Sequence, residues 1–151
     1  MDRLARLVLT AAVGIALAAC GNTGNDEGGD FQPELSGADE VCSAEQKCGD
    51  PDGSGSASVE INSDRNELCY DITLSGISGV TAAHIHKGAS GEPGDVVLNL
   101  EWAGTDTGGE ACLDGVDEGT LERISKDPVN HYVNVHTSEF PDGAVRGQLK
   151  E

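Results

Sequence analysis

All four histidines of this 151-residue chain fall in two short stretches, Thr81-Ala82-Ala83-His84-Ile85-His86-Lys87-Gly88 and His131-Tyr132-Val133-Asn134-Val135-His136-Thr137. Imidazole is a frequent metal ligand and titrates near neutrality, so two strand-like segments that hold every imidazole mark one face for chemistry. Residues two apart on a strand share a face. His84 and His86 therefore project together with Ala82, leaving Ala83 and Ile85 for the core. The same parity places Val133 and Val135 on one side of the second stretch and Tyr132, Asn134 and His136 on the other, so His136 joins His84 and His86 if the strands lie close. His131 falls on the valine side. Three imidazoles on one sheet face could hold copper or zinc, with copper favoured by affinity order and a fourth position open to water. Alternatively they hydrogen-bond to nearby backbone, to Asn134 or to Thr137, and fix the sheet.

Arg146 is the other residue of interest, because a guanidinium in a chain of formal charge −18 is expected to find a carboxylate and close the last strand as an ion pair. Anion binding is its alternative role. Asp50-Pro51-Asp52-Gly53-Ser54-Gly55 has the oxygen spacing of a calcium loop, but position twelve is Ile61 and a strand pattern follows, so it reads as a polar turn. The chain has no Gly-X-Ser-X-Gly elbow, phosphate loop or dinucleotide fingerprint. A binding role is expected in preference to catalysis.

The elements that must carry these residues are short strands. Ser56–Asn62 alternates small or apolar with polar residues, and Asn66–Leu74 puts Leu68, Tyr70, Ile72 and Leu74 on one face, with Ser63 to Asn66 as the turn between them. Val80–His86, Asp95–Leu100, Glu110–Leu113, Asn130–His136 and Ala144–Leu149 follow, separated by Gly, Pro, Asp and Ser clusters. This rhythm predicts an all-β, antiparallel Greek-key sandwich or flattened barrel of about seven to eight strands. Thr120–Lys126 breaks the rhythm: Leu121 and Ile124 stand at helical spacing, Thr120 can cap and Asp127-Pro128 can stop, so one short helix is expected beneath the His131–His136 strand.

Arg3 and Arg6 precede an uncharged run, Leu7–Ala19, which is too short to span a bilayer and fits a signal peptide over residues 1–19. It ends in Leu17-Ala18-Ala19-Cys20, which resembles the lipobox of bacterial lipoproteins and implies cleavage before Cys20 and lipid attachment there. The expected location is the outer face of a bacterial plasma membrane, or the periplasm or outer membrane if the host has two membranes. Residues 20–33, rich in glycine and polar side chains, read as a tether, and residues 34–150 remain as one folding unit. Of 27 acidic and 9 basic residues, cleavage would remove Asp2, Arg3 and Arg6, leaving 26 and 7 and a formal charge of −19. Such a surface does not attract nucleic acid.

With Cys20 assigned to lipid, Cys42, Cys48, Cys69 and Cys112 remain, an even number suited to two disulfides in an exported domain. Three pairings are open. Close spacing favours Cys42–Cys48 as a local closure and leaves Cys69–Cys112 to link distant strands, while the spacing fits zinc-ribbon patterns poorly.

Gly53-Ser54-Gly55-Ser56-Ala57, then Ala82-Ala83-His84-Ile85-His86 with Gly88, Gly91 and Gly94, then Tyr132–Thr137 and Pro141-Asp142-Gly143-Ala144-Val145-Arg146-Gly147-Gln148-Leu149 together resemble the CHRD domain, found repeated in chordin and singly in many bacterial exported proteins. Together with the lipobox-like ending at Cys20, the resemblance implies a lipid-anchored binding module whose ligand, a protein or other surface component, is undefined. His84-Ile85-His86 and Val135-His136 also look like the copper-ligand segments of Cu/Zn superoxide dismutase, which would give His84, His86 and His136 a copper-ligand role. That family's histidine-rich bridging loop has no counterpart here, and no histidine lies between residues 87 and 130.

Overall fold

The computed structural model describes residues 28–150; the signal-peptide reading, Cys20 and most of the tether lie outside the described residues. The chain is all-β with one short helix, as the strand rhythm predicted. All seven expected strands form: β3 (Ser54–Asn62), β4 (Glu67–Ser75), β5 (Val80–Lys87), β6 (Val96–Asn99), β7 (Gly108–Asp114), β8 (His131–Thr137) and β9 (Val145–Gln148). Two more precede them, β1 (Gly29–Phe31) and β2 (Glu34–Ser36). Each is three residues long, too short for alternation to show in sequence.

The strands form one continuous antiparallel sheet in the order β6-β5-β8-β9-β2-β3-β4-β7, with β1 pairing on β3. The chain crosses between the two halves of the sheet after β4, after β6 and after β7. Strands distant in sequence thereby become neighbours: β5 pairs with β8, and β2 with β9.

Alternation decides the core. Leu68, Tyr70, Ile72 and Leu74 of β4 are buried while the residues between them are not, and Ala57, Val59 and Ile61 of β3 meet them. Ala83, Ile85, Val133, Val135 and Val145 continue the same face in the other half. Phe31, within the segment read from sequence as tether, is buried in this core, and Gln32 donates its backbone N–H to the Lys150 carbonyl.

Helix α1 (Glu118–Lys126) buries Leu121 and Ile124, as their spacing predicted. Its cap is Asp117, not Thr120: the Asp117 carboxylate accepts from the Thr120 backbone N–H at 2.9 Å and from its hydroxyl at 3.1 Å. The helix backbone approaches the 3-10 turns Ser63–Arg65 and Pro128–Asn130, and Leu121 and Ile124 join the hydrophobic core of the sheet. Pro128–Asn130 joins the helix directly to β8.

Both disulfides form with the favoured pairing, Cys42–Cys48 and Cys69–Cys112. Cys69 and Cys112 stand directly opposite each other on β4 and β7. Cys42–Cys48 closes a loop between the 3-10 turn Gly37–Asp39 and β3. That loop docks on the β8–β9 connection: Gly49 and Asp50 donate to the carbonyls of Gly143 and Ala144, and Lys47 and Asp142 bond reciprocally.

Candidate functional site

Strand β8 is buried on both faces. Its inner face carries Val133 and Val135, but Tyr132 and Asn134 on the outer face are also buried, because loops cover that side. The Gly88–Asp95 connection lies over one part of it, and the β8–β9 connection, with the disulfide loop docked on it, closes another. A polar layer is sealed between sheet and loops.

The ladder places side chains in this layer row by row. His84 is opposite Asn134, which is opposite Arg146; His86 is opposite Tyr132, which is opposite Gln148; Ala82 is opposite His136. The three histidines expected to share a face do share it. Ring centroids lie 4.8 Å apart for His84 and His136, 5.7 Å for His84 and His86, and 5.8 Å for His86 and His136. One ring nitrogen of each lies within 4.8 Å of those of the other two. His131 stays outside this group, buried on the opposite face with Nδ1 2.8 Å from the Asp127 carbonyl.

Hydrogen bonds set the tautomers. His86 Nδ1 donates to the Gly94 carbonyl at 2.9 Å, and His136 Nδ1 donates to the Pro141 carbonyl at 3.1 Å, so Nε2 of each carries a lone pair. Neither Asn134 nor Thr137 serves as their partner. His86 Nε2, His136 Nε2 and His84 Nδ1 are all buried and make no hydrogen bond within the protein. A carbonyl on one ring nitrogen with the other nitrogen left free is how metal-ligating histidines are oriented.

The imidazoles are held neutral. Burial, reinforced by His136 and His86, brings His84 down to about 4. Burial lowers His86, against the pull of the Gly94 hydrogen bond, and lowers His136 against that of Pro141. Neutral imidazoles at physiological pH are competent ligands, since no proton has to leave first.

Arg146 supports this layer in a way that differs from the ion pair expected of it. Its guanidinium, only 2% exposed, donates to the carbonyls of Ala89 at 2.7 Å and Glu92 at 2.8 Å and lies 3.5 Å from the Tyr132 ring centroid. Backbone carbonyls replace the carboxylate because the Gly88–Asp95 loop presents two of them to one planar fork of donors. Gln148 adds bonds to the carbonyls of Gly88, Val129 and His131. The Tyr132 hydroxyl accepts from Gly94 N–H, and its ring stacks on His86 at 5.0 Å. Gly94 has no room for a side chain, since a Cβ would collide with the Lys87 carbonyl.

Glu40, which carried no signal in sequence, enters from the segment after β2. Burial pushes its carboxyl up to about 7, against the attraction of Arg146 and its hydrogen bond with Asn134. Only proximity in the fold identifies it.

Glu67 with Cys69 and Cys112 is the other grouping of ligand types among the described residues, and its sulfurs are spent in the disulfide. No described helix is long and apolar enough to cross a membrane. Comparison with protein-family models matches residues 31–149 to the CHRD domain. No curated protein and no solved structure matches the chain.

Proposed function

The chain belongs to the CHRD domain family, and from that premise we propose that it is a non-enzymatic binding module whose ligand is copper, held by His84, His86 and His136. One observation carries this reading: three neutral imidazoles turn buried, partnerless nitrogens toward one another within 4.8 Å. Buried polar atoms without partners are costly, and three converging on one point call for a shared partner. Copper stands highest in the affinity order for divalent ions on nitrogen ligands.

Nδ1 of His84 and Nε2 of His86 and His136 would be the donors. The carbonyls of Gly94 and Pro141 hold two of the rings in the required tautomer, and the covering loops exclude water. Bound copper would supply a Lewis-acidic, redox-active centre. The further chemistry of the dismutase family is not assigned, since its bridging ligand is missing from the sequence.

Export and anchoring complete the proposal. Support comes from the sequence alone: the apolar Leu7–Ala19 run ending in Leu17-Ala18-Ala19-Cys20 fits a lipoprotein leader, which would fix the module to a membrane surface through Cys20.

Equilibrium dialysis of the full-length chain against copper, under air and under ascorbate, tests the site. One copper per chain in at least one condition is expected, with loss of binding in His84→Gln. Absence of stoichiometric copper under both conditions, or unchanged binding in His84→Gln, would overturn it.

A further inference from the structure

Resting on the three-histidine site just proposed, we infer that this site selects monovalent copper, as a closed three-coordinate centre of neutral nitrogen donors, over divalent copper and zinc.

The first argument is coordination number. Zinc sites complete four ligands, and Cu(II) favours square-planar or tetragonal sets. Among the described residues, no fourth histidine, cysteine or carboxylate joins His84, His86 and His136. The sequence suggested a fourth position open to water, but all three donor nitrogens are shielded from solvent. Tyr132 does not fill the gap, because its ring lies flat on His86, with an interplanar angle of 12°, and its hydroxyl is engaged by Gly94 N–H.

The second argument is charge, and it is independent of the first. The energy of burying an ion rises with the square of its charge, so a divalent ion among neutral donors carries roughly four times the desolvation cost of a monovalent one. Sites for divalent ions offset that cost with thiolates or carboxylates in the ligand set or, where three histidines bind the ion, with a water or hydroxide at an open fourth position, which the shielded donor nitrogens do not offer here. Here every donor is a neutral imidazole. Arg146 acts on His86 as a nearby positive charge, and Asp95 and Asp142 act only through space, on His86 and His136 respectively. The large negative charge of the chain raises the local concentration of any cation without choosing among them.

Competition titrations of the full-length chain supply the test. Cu(I) is titrated anaerobically against bicinchoninate, and Zn(II) and Cu(II) against nitrilotriacetate, with copper X-ray absorption on the Cu(I) form. The expected result is Cu(I) bound at least about a hundredfold more tightly than either divalent ion, with three nitrogen scatterers at about 2.0 Å. His84→Gln, at a half-buried position, should weaken Cu(I) binding while leaving the far-ultraviolet circular dichroism of the fold intact. Divalent binding as tight as Cu(I), or a fourth scatterer, would overturn the selectivity and leave the three-histidine site standing. Failure of all three ions to bind would overturn both.

Discussion

His84 on β5 and His136 on β8 meet ring to ring, with centroids 4.8 Å apart, although the ladder sets His84 opposite Asn134 and His136 opposite Ala82. They are diagonal neighbours on one face, a separation that long or aromatic side chains can span. This diagonal brings a residue of the second histidine stretch onto the pair supplied by the first.

Acid should loosen the metal-free protein through these histidines. In the unfolded chain an imidazole takes its proton near the ordinary 6.5, whereas folded His84 resists until about 4. Across that window the unfolded state binds more protons, so stability falls as pH falls. His86 and His136, both lowered, act in the same direction. With the opposing titration of Glu40 removed by Glu40→Gln, urea midpoints measured from pH 7 to pH 4 should decline, and adding His84→Gln should flatten the decline. A profile that rises toward acid in the Glu40→Gln background would contradict the neutral, buried state of these rings.

Glu40 acts with the opposite sign. Its carboxyl is ordinarily half-protonated at 4.5 but stays protonated in the fold until about 7, so between those values the native state holds the extra proton and stability falls as pH rises. Glu40→Gln keeps the shape and removes the charge. At pH 8 it should stabilise the chain by about 2–3 kcal/mol, with little effect at pH 4.5. Equal effects at both values would mean that Glu40 titrates normally.

Removing the Arg146 guanidinium should release the Gly88–Asp95 loop. Arg146→Met deletes two charge-assisted bonds to carbonyls and should cost about 3 kcal/mol in denaturant unfolding. Arg146→Lys should recover little of this, because a single ammonium cannot reproduce the fork that reaches Ala89 and Glu92 together while stacking on Tyr132. Amide hydrogen exchange should quicken in residues 88–95. Full protection of that loop in Arg146→Met would show that Gln148 and Tyr132 hold it unaided.

The two disulfides should separate stability from site integrity. The Cys69–Cys112 bridge closes a sequence separation of 43 and the Cys42–Cys48 bridge one of 6. Loop-closure entropy then gives about 4 kcal/mol for removing the first and about 2 kcal/mol for the second. Copper affinity should follow the reverse order. The Cys42–Cys48 loop is bonded to the β8–β9 connection, whose Pro141 carbonyl orients His136. Double Cys→Ala variants, compared by urea unfolding and copper titration, test the inversion; greater loss of affinity from the long bridge would refute it.

Much of the fold was legible because its signals are local. The seven longer strands announced themselves through alternation and turn residues, as in Leu68, Tyr70, Ile72 and Leu74 of β4, and Leu121 with Ile124 revealed the helix. β1 and β2 were not legible, since three residues cannot establish a period. Asp117 rather than Thr120 caps the helix because both could accept from a backbone N–H, and the choice depends on where the preceding chain turns.

The sequence by itself determined which side chains can share a face. Strand period is a property of consecutive residues, so it joined His84 to His86, grouped His136 with Tyr132 and Asn134, and set His131 apart. Only the tertiary structure decided that those faces coincide. Placing β8 beside β5, and choosing the register that makes His84 and His136 diagonal neighbours, depends on core packing between segments some fifty residues apart. The loops decided the rest: the carbonyls of Gly94 and Pro141 assign the tautomers, and those of Ala89 and Glu92 claim Arg146 in place of a carboxylate. A backbone carbonyl is common to every residue, so no pattern of side chains could have signalled which ones would arrive there.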